Sequence, residues 1–387
     1  MKNLKTKLET LSVLRGLLAD PVISSRMSVL DDPTASNYAE FASRLYSANG
    51  GYLSEYVREI LSNSENVYVR TVGAGELVSD FMSEALVTEL SILQEIADLT
   101  HTELKSEIHY DGFLPAYATT KTDISAEYLH RAKNIGKFGY GIYAKNGMFY
   151  VEDDATIIPV KNPDPTDVRD LIDYERERGI IMDNTRALLA GKPAANILLT
   201  GDAGTGKSST VKAVGSALFS EGLRIIEVRK DQLRAIPRIL DELSMNPLKF
   251  VLFIDDLSFL KDDDNYSALK AVLEGSVSAK SENVVIYATS NRRHIIKEKF
   301  SDREGDDIHR NDTMQETVSL SERFGIHVTF NKPDKKTYLH IVRSLACRAG
   351  IELPTSELEA DAERIALERG GRSARLARQY VDSLLAK

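Results

Sequence analysis

Gly201-Asp202-Ala203-Gly204-Thr205-Gly206-Lys207-Ser208 meets the pattern G-x-x-x-x-G-K-[ST], and its surroundings complete the reading. The run ANILLT (195–200) before it reads as a buried strand, and a helix is expected from about Ser208. The glycines at 201, 204 and 206 let the backbone curl so that successive N–H groups, with the helix N-terminus, form a nest for phosphate. In such a loop Lys207 reaches β- and γ-phosphates and the Ser208 hydroxyl suits a magnesium ion, so Gly201 through Ser209 form the candidate nucleotide-phosphate site.

Outward from the loop, strands and helices alternate. LRIIEV (223–228), KFVLFIDD (249–256), NVVIYATS (283–290) and IHVTF (326–330) read as strands, with helical stretches from Leu233 to Leu243 and from Tyr266 to Leu273 between them. Such alternation predicts an α/β fold with a parallel sheet covered on both faces. The strand 250–254 runs directly into Asp255 and Asp256. A buried strand ends where charge begins, which puts both carboxylates at the sheet edge where ligands bind in open α/β folds. Asp255 suits magnesium coordination and Asp256 suits polarisation of an attacking water.

The last ~55 residues change to amphipathic helices around Tyr338 to Leu345, Leu358 to Ile365 and Ala377 to Leu384, which fits a small helical cap. Before the sheet region, KNPDPTDVRDL (161–171) reads as a linker ending in a helix cap at Asp164 or Thr166. The expected domains are therefore 1–160, α-rich and used for partner recognition; 161–332, the α/β nucleotide domain; and 333–387, the lid. In the first, Phe41 and Leu45, then Leu53, Val57, Ile60 and Leu61, recur at helical spacing around a break at Asn49-Gly50-Gly51. From about Leu77 to Leu104 the set Phe81, Met82, Ala85, Leu86, Leu90, Leu93 and Ile96 forms one apolar face, with Glu84, Glu89 and Glu95 opposite. Asn146-Gly147, between two aromatic and β-branched runs, signals a hairpin with a type I′ turn.

These motifs stand in the order of the AAA+ ATPase superfamily, which they resemble. The resemblance implies ATP as ligand with magnesium, and it assigns further residues. Asn291 resembles the sensor 1 residue that orients the lytic water. Arg323, in LSERFG (320–325), resembles the arginine finger that serves a neighbouring subunit, and so implies a homo-oligomer. Arg372, in GGRSAR (370–375), resembles the sensor 2 arginine of the lid, with Arg375 as second choice, and Leu171-Ile172-Asp173-Tyr174 falls where the superfamily flanks adenine. The form DDLSFL (255–260) is similar to replication initiators and helicase loaders, which brings a protein or nucleoprotein partner, DNA included, into view. The whole chain also resembles a bacterial AAA+ family catalogued as a domain of unknown function, number eight-fifteen, through NTRALLAGKPAANILLTGDAGTGKSSTVKA, ALKAVLEG, ATSNRRH and ERGGRSARLARQ. Two departures matter. Asp256 stands where many AAA+ motors have glutamate, and Arg229-Lys230-Asp231-Gln232-Leu233 lacks the pore loop of protein-threading motors.

Composition bounds the rest. The 387 residues, 42% apolar and 28% charged, are a globular composition, and the net charge of −9 argues against strong sequence-blind coating of DNA. One cysteine, Cys347, removes any disulfide framework and fits a reducing compartment, so a cytoplasmic location is expected. No run of ~18 apolar residues offers a membrane span, and the apolar start is cut by Arg15, a poor signal peptide. The seven histidines show no metal-binding spacing. The segment 301–316, with six acids against two arginines, reads as a surface loop or a docking element for a basic partner. The motifs leave two uses open, an oligomeric ATPase that remodels or loads a partner and an ATP-controlled assembly switch with slow hydrolysis.

Overall fold

A computed structural model describes residues 2–164, 166–258, 264–274, 282–291 and 320–386. The chain forms two compact units, one of residues 1–145 with 245–248 and one of 146–244 with 249–387.

The first unit is helical: α1 (Lys2–Glu9), α2 (Pro21–Asp31), α3 (Ala35–Asn49), α4 (Leu53–Ser62), α5 (Val67–Gly73), α6 (Asp80–Asp98), α7 (His101–Lys105), α8 (Ile124–Lys133), α9 (Ile135–Phe138) and α10 (Ile142–Lys145). Local signals set the boundaries. Asp20 accepts hydrogen bonds from the Val22 and Ile23 amides at the start of α2, and Gly50, at φ +77°, ends α3 in the left-handed region that glycine tolerates. Phe41, Leu45, Leu53, Val57 and Leu61 share one core with Leu90, Leu93 and Ile96. The expected face of α6 needs correction at two positions. Phe81 is 85% exposed, and Glu89, expected on the polar side, is buried at 4%. Its carboxylate accepts from the amides of Ser12, Val13 and Leu14 and from the Ser12 hydroxyl, a set of donors that the helical period of α6 alone does not reveal.

Among the described residues the second unit holds a seven-stranded sheet. Its elements are β1 (Met148–Val151), β2 (Ile157–Pro159), α11 (Glu175–Leu189), β3 (Ile197–Gly201), α12 (Lys207–Leu218), β4 (Leu223–Glu227), α13 (Ile236–Leu243), β5 (Lys249–Ile254), α14 (Asp264–Glu274), β6 (Val284–Ser290), β7 (Ile326–Phe330), α15 (Lys335–Arg348), α16 (Thr355–Glu368) and α17 (Ala374–Leu385). The strand order is β2-β1-β4-β5-β6-β3-β7, and every neighbouring pair is parallel except β1 with β2. Every residue of β6 is buried, as a central parallel strand requires. Ile181 and Leu188 of α11 and Val211, Val214 and Leu218 of α12 pack on the sheet through Leu199, Phe253, Val285 and Tyr287. The lid helices keep a separate cluster, with Tyr338, Val342, Leu358, Ala362, Tyr380 and Val381 at its centre.

The expected hairpin lies one step further along the chain. Residues 142–145 are helical, Asn146-Gly147 leads into β1, and β1 pairs antiparallel with β2 and parallel with β4. Pairing with β4 makes the hairpin part of the sheet unit, so the compact units divide at 145/146 rather than at 160. The linker's capping residue is Asp167, which accepts from the Arg169 amide at the start of a short 3-10 turn, Val168–Asp170; Asp164 instead holds Thr166 through the latter's amide and hydroxyl. The acidic segment 301–316 lies outside the described residues.

Candidate functional site

β3 ends at Gly201, where φ is +138° and an added Cβ would stand 2.0 Å from the Phe330 carbonyl oxygen of β7; only glycine fits there. The loop then turns through Gly204 and Gly206, both at positive φ, into α12, whose first residue is Lys207. Lys207 is 5% exposed. Its ammonium donates to the carbonyls of Gly201 and Asp202, each at 2.8 Å, and to Asn291 Oδ1 at 3.0 Å. Burial pulls its pKa below the ordinary lysine value, while the carboxylates of Asp255, Asp202 and Asp256 push the other way.

β5 delivers the acid pair to the same edge. Ser208 Oγ donates to Asp255 Oδ1 at 2.6 Å. Asp256 takes φ +53°, in the left-handed region that few non-glycine residues adopt, and Asn291 Nδ2 donates to its Oδ1 at 2.7 Å. Asn291 therefore bridges the lysine and the second aspartate. It does so because β6 lies between β3 and β5: Thr200 stands opposite Ser290, Ile254 stands opposite Ala288, and the three strands end together. The Thr289 side chain and carbonyl also reach the turn after β5; sequence reading passed over this residue because a threonine inside a strand carries no signal of its own.

A cavity of about 570 Å³ opens over this edge, lined by residues 203–210, Asp255, Asp256, Thr289 and Asn291, and on its apolar side by Ile172, Tyr174, Ile341 and Leu345. Ile341 and Leu345 belong to α15, so the lid closes the space. Tyr174 opens α11 at φ +62°, next to Asp173 at the same φ; its hydroxyl donates to the Asn331 carbonyl at 2.6 Å and its ring lies 5.3 Å from that of Phe330. Burial pushes the Tyr174 hydroxyl up to about 12. His340 of α15 meets the Asp173 carboxylate through Nδ1 at 3.1 Å.

The two lid arginines fall out differently from expectation. Arg372 is clamped by both oxygens of Glu363 inside the lid and does not line the cavity. Arg375 and Arg378 do line it, and the Arg375 amide donates to the Gly204 carbonyl at 3.1 Å. The reason is the start of α17: Ser373 caps it by accepting from the Leu376 amide, which leaves Arg372 ahead of the helix. Arg323, expected to serve a neighbouring subunit and not its own site, does not line this cavity and pairs with Glu274 of α14 at 2.5 Å. Among the described residues no group of three or more His, Cys, Asp or Glu gathers as a metal cage, and no helix is long and apolar enough to cross a membrane.

A glycine loop after β3, an acid pair after β5, a polar residue after the strand between them and a helical lid over the edge define a P-loop domain of the AAA+ type. The chain belongs to the family described as Protein of unknown function (DUF815), whose family model matches residues 144–387, in agreement with the resemblance read from the sequence. A search of curated proteins returns no match. Among solved structures the chain is similar to the RuvB Holliday junction branch migration motor of Thermotoga maritima, 18% identical with a TM-score of 0.38, covering 56% of this chain and 63% of that one. It is similar to AMPPCP-bound DnaA from Aquifex aeolicus at 19% identity, TM-score 0.38 and coverage of 56% and 63%. A replication initiator DnaA bound to AMPPCP and single-stranded DNA matches at 18% identity, TM-score 0.40 and coverage of 58% and 66%. The chain thus spans less than two thirds of the length of each of these.

Proposed function

We propose that the chain binds ATP with magnesium in this cavity and hydrolyses it at an interface between copies, using the energy to remodel or load a protein or nucleoprotein partner. The observation that carries the reading is the Lys207, Asn291 and Asp256 relay across three adjacent strands, since it sets a phosphate-binding cation, a water-orienting amide and a general base around one point. When ATP enters, Lys207 exchanges its contacts to the Gly201 and Asp202 carbonyls for the β- and γ-phosphates. Asp256 accepts the proton of the attacking water while Asn291 holds that water in line. Tyr174, Ile172 and Leu345 offer apolar surface to the base, and Arg375, in place of Arg372, approaches the phosphates from the lid.

The donor set suits magnesium. The Ser208 hydroxyl and the Asp255 carboxylate are hard oxygen ligands, and a cation that keeps several waters needs only one or two from the protein beside the phosphate oxygens. Those two residues would hold the ion, whose charge would stabilise the oxygens of the transferring phosphate.

Residues 333–387 act as the lid of the α/β domain, which begins at Asn146, the helical N-terminal part selects the partner, and Arg323 completes a neighbour's site. The resting contacts favour a second reading as well: Asp256 is short for a catalytic base and Arg323 is held by Glu274, as expected of an assembly switch that hydrolyses slowly. Titration calorimetry of Lys207→Ala tests the site. ATP affinity should collapse in a protein of unchanged fold, because Lys207 is a point charge on the phosphates. Unchanged affinity in a folded variant removes ATP from this cavity.

A further inference from the structure

We infer that Thr289 is the positioning residue of the acid pair: it templates the turn after β5 so that Asp255 meets Ser208 while Asp256 meets Asn291. The inference deepens the ATPase reading and rests on it. Thr289 lies on β6, 2% exposed, and engages three consecutive residues of the neighbouring chain segment. Its hydroxyl donates to Asp255 Oδ1 at 2.5 Å and accepts from the Asp256 amide at 2.9 Å, and its carbonyl accepts from the Leu257 amide at 2.7 Å.

Two features make the hydroxyl matter. Asp255 Oδ1 also accepts from Ser208 Oγ at 2.6 Å and from the Asp256 amide at 3.2 Å, so the threonine contact fixes the orientation of the carboxylate that would face magnesium. Asp256 sits at φ +53°, a conformation that persists in a non-glycine residue only where its surroundings over-determine it. The Thr289 side chain and carbonyl supply that constraint on both sides of Asp256. A group that donates in one direction and accepts in the other is required, which threonine and serine offer and valine does not. Thr289 therefore acts through the two aspartates.

The test compares Thr289→Val, which keeps the shape and removes both side-chain bonds, with Thr289→Ser, which keeps both bonds. Amide hydrogen exchange of the nucleotide-free protein gives a readout independent of turnover. In Thr289→Val the Asp256 amide should exchange faster while the Leu257 amide, bonded to the carbonyl of residue 289, keeps its protection and reports that the turn is still folded. Turnover should fall about 10- to 100-fold, the cost typical of losing a group that orients a metal-facing ligand, with ATP affinity little changed. Thr289→Ser should match the wild type in exchange and in turnover. Wild-type turnover in Thr289→Val beside loss of turnover in Asp256→Asn overturns the assignment to Thr289 and leaves the ATPase reading standing. Wild-type turnover in both variants overturns that reading and the assignment with it. Faster Leu257 exchange or failed folding in both Thr289→Val and Thr289→Ser also overturns the assignment, since it makes the residue a packing element only.

Discussion

In the helical unit Glu89 is 4% exposed and its two oxygens accept four hydrogen bonds from residues 12–14, whereas at the sheet edge Asp255 and Asp256 stay exposed and meet side chains from the phosphate loop and from β6. Both places hold carboxylates against a chain terminus of local structure, and their use differs. Glu89 is closed by its own fold: three of its four donors are backbone amides that have no other function. The aspartates face Ser208, Thr289 and Asn291, side chains that line the open cavity with them. On the proposed function, what separates a structural carboxylate from a working one is the kind of donor it meets and whether the cavity reaches it, and the number of bonds does not distinguish them.

The largest expected effect lies at Arg323, which stands outside the cavity that holds the carboxylates. If the working edge is shared between copies, Arg323→Ala lowers turnover by about 10³ or more, as arginine fingers do in phosphoryl transfer. Thermal stability should change little, because a partly exposed pair such as Arg323 with Glu274 contributes ~0–1 kcal/mol. Mixing Lys207→Ala subunits with Arg323→Ala subunits should restore part of the activity, measured as phosphate release. No recovery, together with turnover independent of protein concentration, limits Arg323 to its pair with Glu274.

The lid sharpens the contrast next. Arg375→Ala should weaken ATP binding by roughly 10- to 100-fold, the size of one charge-assisted hydrogen bond, and Arg372→Ala should leave affinity near wild type while disturbing its contact with Glu363. Calorimetry on the two variants side by side decides between them, and the reverse ranking returns the role to Arg372.

The smallest effects belong to Glu89. Glu89→Ala leaves its donors unsatisfied and should cost ~1–3 kcal/mol of stability in chemical denaturation, with ATP binding unaffected. Burial raises the Glu89 pKa, but the Ser12 hydroxyl and the amides of residues 12, 13 and 14 outweigh it, so the folded value lies below the ordinary 4.5. The folded-state value being depressed, this stabilisation is complete above the unfolded pKa and is lost as pH falls below about 4.5 through the folded value. Wild type and Glu89→Gln should therefore converge in stability in that acid range and diverge above it; a constant gap from pH 7 to pH 3 contradicts the assignment.

Much of the nucleotide edge was legible because its chemistry is written in short segments. The Gly201–Ser208 loop, the Asp255-Asp256 pair and Asn291 each follow an apolar strand, and burial alone forces the polar residues to the strand ends. What sequence could not supply was the order of strands. That order makes Asn291, rather than any other polar residue, touch both Lys207 and Asp256, and it makes Thr289 adjacent to the turn after β5. Sequence alone does not choose between Arg372 and Arg375, because the choice depends on where α17 begins, and the Ser373 cap fixes that start by one residue. Asn146-Gly147 carries a turn signal, but neither residue takes the positive φ of a type I′ turn; the segment before it is helical, and β1 instead pairs with β2 and β4. Glu89 reads as a polar-face residue for a related reason: its donors come from residues 12–14, 75 or more positions away along the chain.

The most direct measurement follows ATP binding and phosphate release on one preparation of Asp256→Asn. An amide at position 256 keeps the hydrogen-bonding shape and cannot accept a proton from water. The expected result is ATP bound with wild-type affinity in the presence of magnesium and no phosphate released above the uncatalysed rate. Phosphate release at the wild-type rate from the folded variant would contradict the assignment of Asp256 as the base, and with it the relay through Asn291 to Lys207.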